Sequence, residues 1–260
     1  MNQKELRDML ECAQTAACQA GDMMRKNLFL DKTAIRVTPH DIKLELDVRC
    51  QKRIEKTLHR AYPEISMLGE EGNSGDPQDS LRWIVDPIDG TANFAYGIPQ
   101  ACVSIALQGR VGNSHQTLLG VVHDPFLDET WTAIQGQAAK LNGRKIGVSP
   151  RAKLAEAIVA IGFGQNKATL DGMLPAFSHL AHRVRKIRIL GSAALSLSWV
   201  AAGRMDAFIE RGIYLWDIAA AGLILECAGG DFHHTPIEGE YRFKVIGSNG
   251  RLPKQLRRIV

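Results

Sequence analysis

The stretch Trp83-Ile84-Val85-Asp86-Pro87-Ile88-Asp89-Gly90-Thr91-Ala92-Asn93-Phe94 decides how this chain is read. Its first three residues form an apolar run of the kind that makes a buried strand. The run ends in two aspartates three residues apart, and Gly-Thr follows at once. Pro87 fixes its own φ and biases Asp86 toward an extended backbone. Asp86, the Ile88 carbonyl and Asp89 can therefore face one small volume at the end of the strand. Crowded carboxylates repel one another unless a hard cation lies between them, and all-oxygen ligation suits Mg²⁺. Gly90 and Thr91 then offer backbone N–H groups where a helix can begin, a seat for phosphate. Taken alone, the same residues also read as a polar turn after a strand.

Two further acidic positions stand where a metal site needs them. Ile65-Ser66-Met67-Leu68-Gly69 reads as a short strand that ends in Glu70-Glu71-Gly72. Far downstream, Leu215-Trp216-Asp217-Ile218-Ala219-Ala220-Ala221-Gly222 opens an apolar helical segment that closes at Cys227-Ala228-Gly229-Gly230. Together, Gly69-Glu70-Glu71, the stretch Trp83 to Phe94, Trp216-Asp217-Ile218-Ala219-Ala220 and Ala228-Gly229-Gly230 resemble the inositol monophosphatase family, in order, over nearly the whole chain. That family comprises Mg²⁺-dependent, lithium-sensitive phosphomonoesterases.

The resemblance carries expectations for fold and chemistry. It implies an α+β fold, a layered α-β-α-β-α sandwich of the sugar-phosphatase type. Two sub-domains, 1–148 and 149–260, are expected to meet at the metal cleft. It implies two or three Mg²⁺ ions and a homodimer. Residue by residue, Glu70, Asp86 and the Ile88 carbonyl resemble a first metal site, and Asp86, Asp89 and Asp217 a second. Thr91 resembles the water-activating threonine, whose hydroxyl is held by an aspartate that falls on Asp47. The family segment D-x-V-T-x-x-D reads Asp41-Ile42-Lys43-Leu44-Glu45-Leu46-Asp47 here, so Lys43-Leu44 replaces Val-Thr. Asp47 reads equally as the N-cap of a following helix. Glu71 joins Thr91 and Asp47 in the implied catalytic set by orienting a metal-bound water; its other reading is a surface carboxylate.

The leaving group is expected on the C-terminal half. Gly191-Ser192-Ala193-Ala194 resembles the family's G-[ST]-A-A segment, and Glu210 matches a glutamate that accepts hydrogen bonds from substrate hydroxyls. Gly90, Thr91, Ser192, Ala193, Glu210 and Asp217 are thus the implied substrate contacts. Ser192 also reads as an N-cap, and Glu210 as a partner of Arg211 or Arg204. Ile161-Gly162-Phe163-Gly164 lacks the serine of some inositol-specific members, and Phe163 makes the site more apolar. The implied reaction is hydrolysis of a small polyol or sugar phosphomonoester by a metal-activated water, with inositol 1-phosphate the default substrate. Fructose-1,6-bisphosphatase, histidinol-phosphatase and nucleotidase activities are the alternatives on the same site, and a regulatory binding protein is the alternative of another class. Thr91-Ala92-Asn93-Phe94 resembles the inositol version, T-x-N-F, more than the nucleotidase version, T-x-E-F.

Composition bounds these expectations independently. At 260 residues, 45% hydrophobic and 23% charged, the chain has the make-up of an ordinary globular protein with a substantial core. The formal charge of +4 suits anionic substrates. Basic residues cluster at 183–188 and 254–258 without interleaved aromatics, which reads as solvated faces and not as a nucleic-acid site. Five scattered cysteines with no C-x-x-C pair suggest free thiols in a reducing compartment. With no apolar leader and no run of about eighteen apolar residues, a cytoplasmic protein without a membrane partner is expected. His233-His234 has no carboxylate or cysteine at ligand spacing. No Walker loop, G-x-S-x-G elbow or C-x5-R loop supplies a covalent nucleophile.

Periodicity predicts helices over about 3–28, 47–62, 167–182, 193–202 and 216–228. Strands are expected over 65–68 and 82–85, then a meander over 103–107, 118–122, 129–134 and 138–141. Further strands are expected over 157–161, 187–190, 207–210, 231–233 and 244–246.

Overall fold

Leu6, Met9, Ala13, Ala17, Ala20 and Met24 recur at the helical period, and α1 (Gln3–Asn27) buries all six. Asn2 caps it, accepting from the Glu5 amide while Glu5 reaches back to the Asn2 amide. The computed structural model describes residues 2–38, 42–164, 167–252 and 256. After α1 come β1 (Ala34–Val37), β2 (Ile42–Leu44), α2 (Glu45–Ala61), β3 (Ser66–Gly69), β4 (Gly72–Ser74), β5 (Leu81–Asp89) and the short α3 (Thr91–Ala95). A meander follows: β6 (Cys102–Val111), β7 (Ser114–Asp124), β8 (Glu129–Ile134), β9 (Lys140–Leu141) and β10 (Arg144–Lys145). The remainder is β11 (Ile158–Ile161), α4 (Lys167–Ala181), β12 (Lys186–Arg188), α5 (Ala193–Ala201), β13 (Ala207–Tyr214), α6 (Leu215–Cys227), β14 (Asp231–Pro236) and β15 (Arg242–Ser248).

Two sheets carry the fold beside the small β1–β2 hairpin. The larger has eight strands in the order β10-β9-β8-β7-β6-β5-β3-β4, and the smaller five in the order β12-β11-β13-β15-β14. Consecutive residues of the central strands divide between two cores. Met67, Trp83 and Val85 pack with α1 and α2, whereas Leu68 and Ile84 face α5 and α6. Both faces of the large sheet are thus covered, which is why its strands read as continuous apolar runs. The second core continues through α5 and α6 to Ala160, Phe208 and Val245 of the small sheet, and Met173, Ala176 and Leu180 of α4 cover that sheet's far side. The layers run helix, sheet, helix, sheet, helix, as the resemblance implies.

α6 lies between two sheets, so it is apolar all round. Small residues let it approach the large sheet: a Cβ on Gly120 of β7 would stand 2.8–2.9 Å from Ala220 backbone atoms. The connection from the first sheet to the second is pinned at buried Asp206, which accepts from Arg151 Nε at 2.7 Å and the Ile158 amide at 2.8 Å. This fixes how the sheets meet, and the cleft opens between their strand ends.

Several expectations need correction. The helix expected from Asp47 begins two residues earlier, at Glu45, so Asp47 is the third helical residue and not the N-cap; Leu44 holds that position. The β1–β2 hairpin falls where no element was expected, whereas α3 begins at Thr91, where the sequence allows a helix to start. Arg204 pairs with Glu129 and not with Glu210. Asp41 and most of the basic run 254–258 lie outside the described residues.

Candidate active site

Residues three apart on a regular strand point to opposite faces, so Asp86 and Asp89 meet only if the strand is broken. It is broken at Pro87. Asp86 stands opposite Ser104 and Asp89 opposite Cys102, three steps on β5 against two on β6, with a register shift between them. This bulge turns both carboxylates to one side, and a proline inside a strand flanked by β3 and β6 has no other tolerable place. Asp86 Oδ1 accepts from the Ile88 amide at 2.9 Å, closing the turn.

Asp89 is held from the other half of the protein. Its Oδ2 accepts from Ser192 Oγ at 2.6 Å and from the Ala194 amide at 2.7 Å, and its Oδ1 from the Ala193 amide at 3.4 Å. The carboxylate therefore sits on the first turn of α5, where free N–H groups favour negative charge. Ser192 is also the N-cap of α5, accepting from the Leu195 amide. Ser192 and Ala193 line the cavity, yet these polar groups turn toward Asp89.

Asp47 and Asp217 occupy equivalent helix positions. Each is the third helical residue and uses one oxygen to accept from the amide of the residue capping its helix. The distances are 2.6 Å for Leu44 N–Asp47 Oδ2 and 3.0 Å for Tyr214 N–Asp217 Oδ2. That is half of a capping box, and it leaves the second oxygen of each for the cleft. Asp47 Oδ1 lies 3.5 Å from Thr91 Oγ1, whose hydroxyl donates to the Ile88 carbonyl at 2.8 Å. Asp86, Asp89 and Asp217 bring one oxygen each within 4.8 Å of one another. Glu70 reaches solvent at the cleft mouth and shares a hydrogen bond with Asp86.

Three contributors escaped the sequence reading. Gln51 of α2 accepts from the Glu71 amide at 2.9 Å and donates to the Gly72 carbonyl at 2.8 Å, shaping the turn that carries Glu70 and Glu71. Gly69 makes room for it, since a Cβ there would collide with the Gln51 side-chain amide. Asn93 donates to the Gln100 carbonyl at 2.8 Å and the Leu190 carbonyl at 2.7 Å, fastening the segment before α5 against α3. Lys43 forms an ion pair with Glu71. Asn93 had a signal in the Thr91–Phe94 motif; Gln51 had none, because its partners lie about twenty residues away.

The electrostatics match a cation site. Burial pushes Asp89 up to about 6, Asp47 up to about 7 and Glu210 up to about 8. Asp86 and Asp217 are also pushed up, first by desolvation and then by neighbouring carboxylates. Without a cation, the carboxylates stay ionised only at a cost, and the all-oxygen donor set fits a hard divalent ion. The sign for stability follows. A carboxyl whose folded pKa is raised stabilises the fold below its unfolded value near 4, and that stability is lost as pH rises through its folded value. Metal-free protein should therefore lose on the order of a few kcal/mol between about pH 4.5 and 8, with Mg²⁺ restoring more at each higher pH. Melting temperatures in chelator across that range check this; a flat or rising profile contradicts it.

The carboxylates open into a cavity of about 290 Å³, lined by Glu70, Asp86, Asp89, Thr91 and Asp217 together with Phe163, Glu210 and Tyr214. Gly162 keeps it open: any Cβ there would collide with the Glu210 carboxyl.

An acidic, all-oxygen cleft between the two sheets of a five-layer sandwich has the donors of a metal site, and comparison with known proteins assigns the family. The sequence model of the inositol monophosphatase family matches residues 5–256, and the chain belongs to that family. It is 36% identical over 233 residues to inositol monophosphatase 1 of Solanum lycopersicum, covering 86% of this chain and 84% of the relative. It is 39% identical over 236 residues to Nus factor SuhB of Pseudomonas aeruginosa, with coverage of 86% and 84%. Among solved structures, the extragenic suppressor protein suhB of Bartonella henselae superposes with a TM-score of 0.88 at 32% identity, covering 97% of this chain and 98% of that one. The inositol monophosphatase of Anabaena gives 0.83 at 32% identity, covering 98% and 94%. Membership brings phosphatase activity on phosphorylated substrates and dependence on metal. Among the described residues, no helix is long and apolar enough to cross a membrane.

Proposed function

We propose that the protein is a Mg²⁺-dependent phosphomonoesterase for a small polyol or sugar phosphate, with inositol 1-phosphate the default substrate. The observation that carries this reading is the convergence of Asp86, Asp89 and Asp217 in a cavity that Glu210 also lines. A cavity of about 290 Å³ suits a small phosphorylated ring. Glu70, Asp86 and the Ile88 carbonyl would hold one ion, and Asp86, Asp89 and Asp217 would hold the other. When bound, the ions neutralise phosphoryl charge, make water a stronger nucleophile and stabilise the leaving oxygen. Thr91, held between Asp47 and the Ile88 carbonyl, orients the attacking water, and Glu71 assists from beside Glu70. Backbone N–H groups of Gly90 and Thr91 face the phosphate. Ser192 and Ala193 act mainly by holding Asp89. Lithium sensitivity, a cytoplasmic location and a homodimer belong to the same reading.

Glu210 provides selectivity. It lines the same cavity as the metal-site carboxylates, and Phe163, which lines it too, narrows the choice of alcohol. Above about pH 8, where Glu210 carries its charge, Glu210→Ala should lower kcat/KM for a polyol phosphate by one to two powers of ten, the worth of a charge-assisted hydrogen bond of roughly 1.5–3 kcal/mol. A hydroxyl-free aryl phosphate should be almost unaffected. The ratio of the two specificity constants in wild type and variant is the readout, and an unchanged ratio makes Glu210 structural.

The relatives named Nus factor SuhB favour a second reading, a regulatory role on the same fold. A substrate panel at millimolar Mg²⁺, followed by phosphate release, separates the two. Turnover of a polyol phosphate supports the enzyme, and a folded protein inert to every phosphomonoester supports the regulator.

A further inference from the structure

Lys43 stands where the family segment has valine, and the fold gives that departure a consequence. β2 ends at Leu44, and α2 starts at once with Asp47 in its first turn, so the strand that carries Lys43 leads directly into the helix that carries Asp47. The Lys43 ammonium lies against Glu71 Oε2 as an ion pair. The Glu71 side chain is 4% exposed, and this oxygen has no hydrogen-bond donor in good alignment. Lys43 is therefore the counter-charge of a buried carboxylate, on the strand leading to the residue that holds Thr91. Its charge also reaches Asp47, where it opposes the effect of burial.

We propose that Lys43 is a positioning residue whose ammonium, paired with Glu71, keeps a third divalent ion from using that carboxylate, so the cleft of this protein works with two ions and not three. This rests on the metal-dependent phosphatase reading and deepens it. A further divalent ion bound beside Glu71 would have to share that carboxylate with a tethered ammonium, and like charges at contact distance repel strongly in a partly desolvated site. The lysine also fixes Glu71 without drawing on the ion concentration of the solution. A valine, as in the family segment, would leave Glu71 free to help recruit a third ion.

Counting bound Mn²⁺ tests this in the full chain, using the free-ion EPR signal as readout and inorganic phosphate to fill the site. Wild type should saturate at two ions per chain, the number a two-metal centre needs. Lys43→Met should acquire a third ion, bound at least about tenfold more tightly than any residual binding in wild type, the effect expected from removing one contacting charge. Lys43→Arg, which keeps the charge, should stay at two. Three saturable ions in wild type overturn the proposal, as does a folded Lys43→Met protein that stays at two. If Lys43→Met does not fold, the counts for wild type and Lys43→Arg still decide, since either one reaching three contradicts it. Wild type that binds no Mn²⁺ and releases no phosphate from any monoester would instead defeat the phosphatase reading itself.

Discussion

Asp86→Asn should abolish turnover, by about a thousandfold or more, while the metal-free fold holds or gains stability. A thousandfold loss corresponds to ~4 kcal/mol of transition-state stabilisation. The activity falls because Asp86 is the carboxylate assigned to both ions, and an amide oxygen is a weaker ligand for a hard cation. Stability moves the other way because Asp86, 1% exposed, is crowded by Glu70, Asp89 and Asp217. Removing its charge relieves repulsion that a cation would otherwise relieve. Asparagine also keeps an acceptor for the Ile88 amide, so the turn after Pro87 survives. Phosphate release and chelator-treated melting curves check the two halves. Near-normal activity in a folded variant contradicts the shared-ligand assignment.

Thr91→Ala should lower kcat by about a hundredfold with KM nearly unchanged, because orienting the nucleophile acts in the transition state and not in substrate binding. Asp47→Asn is the informative companion. The helix-capping role of Asp47 needs only an acceptor for the Leu44 amide, which asparagine supplies, whereas holding the Thr91 hydroxyl as an anion does not survive the change. A fall in kcat with an unchanged melting temperature supports catalysis; a lower melting temperature with unchanged kcat leaves Asp47 a helix-end residue. If the two residues act as a unit, the double variant should be little worse than either single one. Raised KM alone in Thr91→Ala would reduce that residue to a phosphate contact.

How far the sequence could be read depended on the range of the forces involved. The runs Trp83–Val85 and Ile218–Leu225 are apolar because each is covered on all sides, so their burial was legible without knowing by what. The site motifs were legible because the backbone brings Asp86, Ile88, Asp89 and Thr91 together within one bulge and one turn. The β1–β2 hairpin was missed because β1 is exposed throughout and β2 has three residues, leaving no alternation to detect. Asp47 was misplaced within its helix because the capping residue is Leu44, which carries no capping signal, and the helix follows a strand without a break. The strand order and the pairings of Gln51 and Lys43 with the Glu70–Glu71 turn are tertiary, and no local pattern encodes them.

The most direct test is phosphate release from inositol 1-phosphate by protein stripped with chelator, before and after Mg²⁺ is returned. The account predicts negligible release without a divalent ion, full activity once Mg²⁺ is restored, and a rise in melting temperature in step with it. Equal activity with and without divalent ions would contradict the assignment of Asp86, Asp89 and Asp217 to a catalytic metal centre, as would a melting temperature that ignores Mg²⁺.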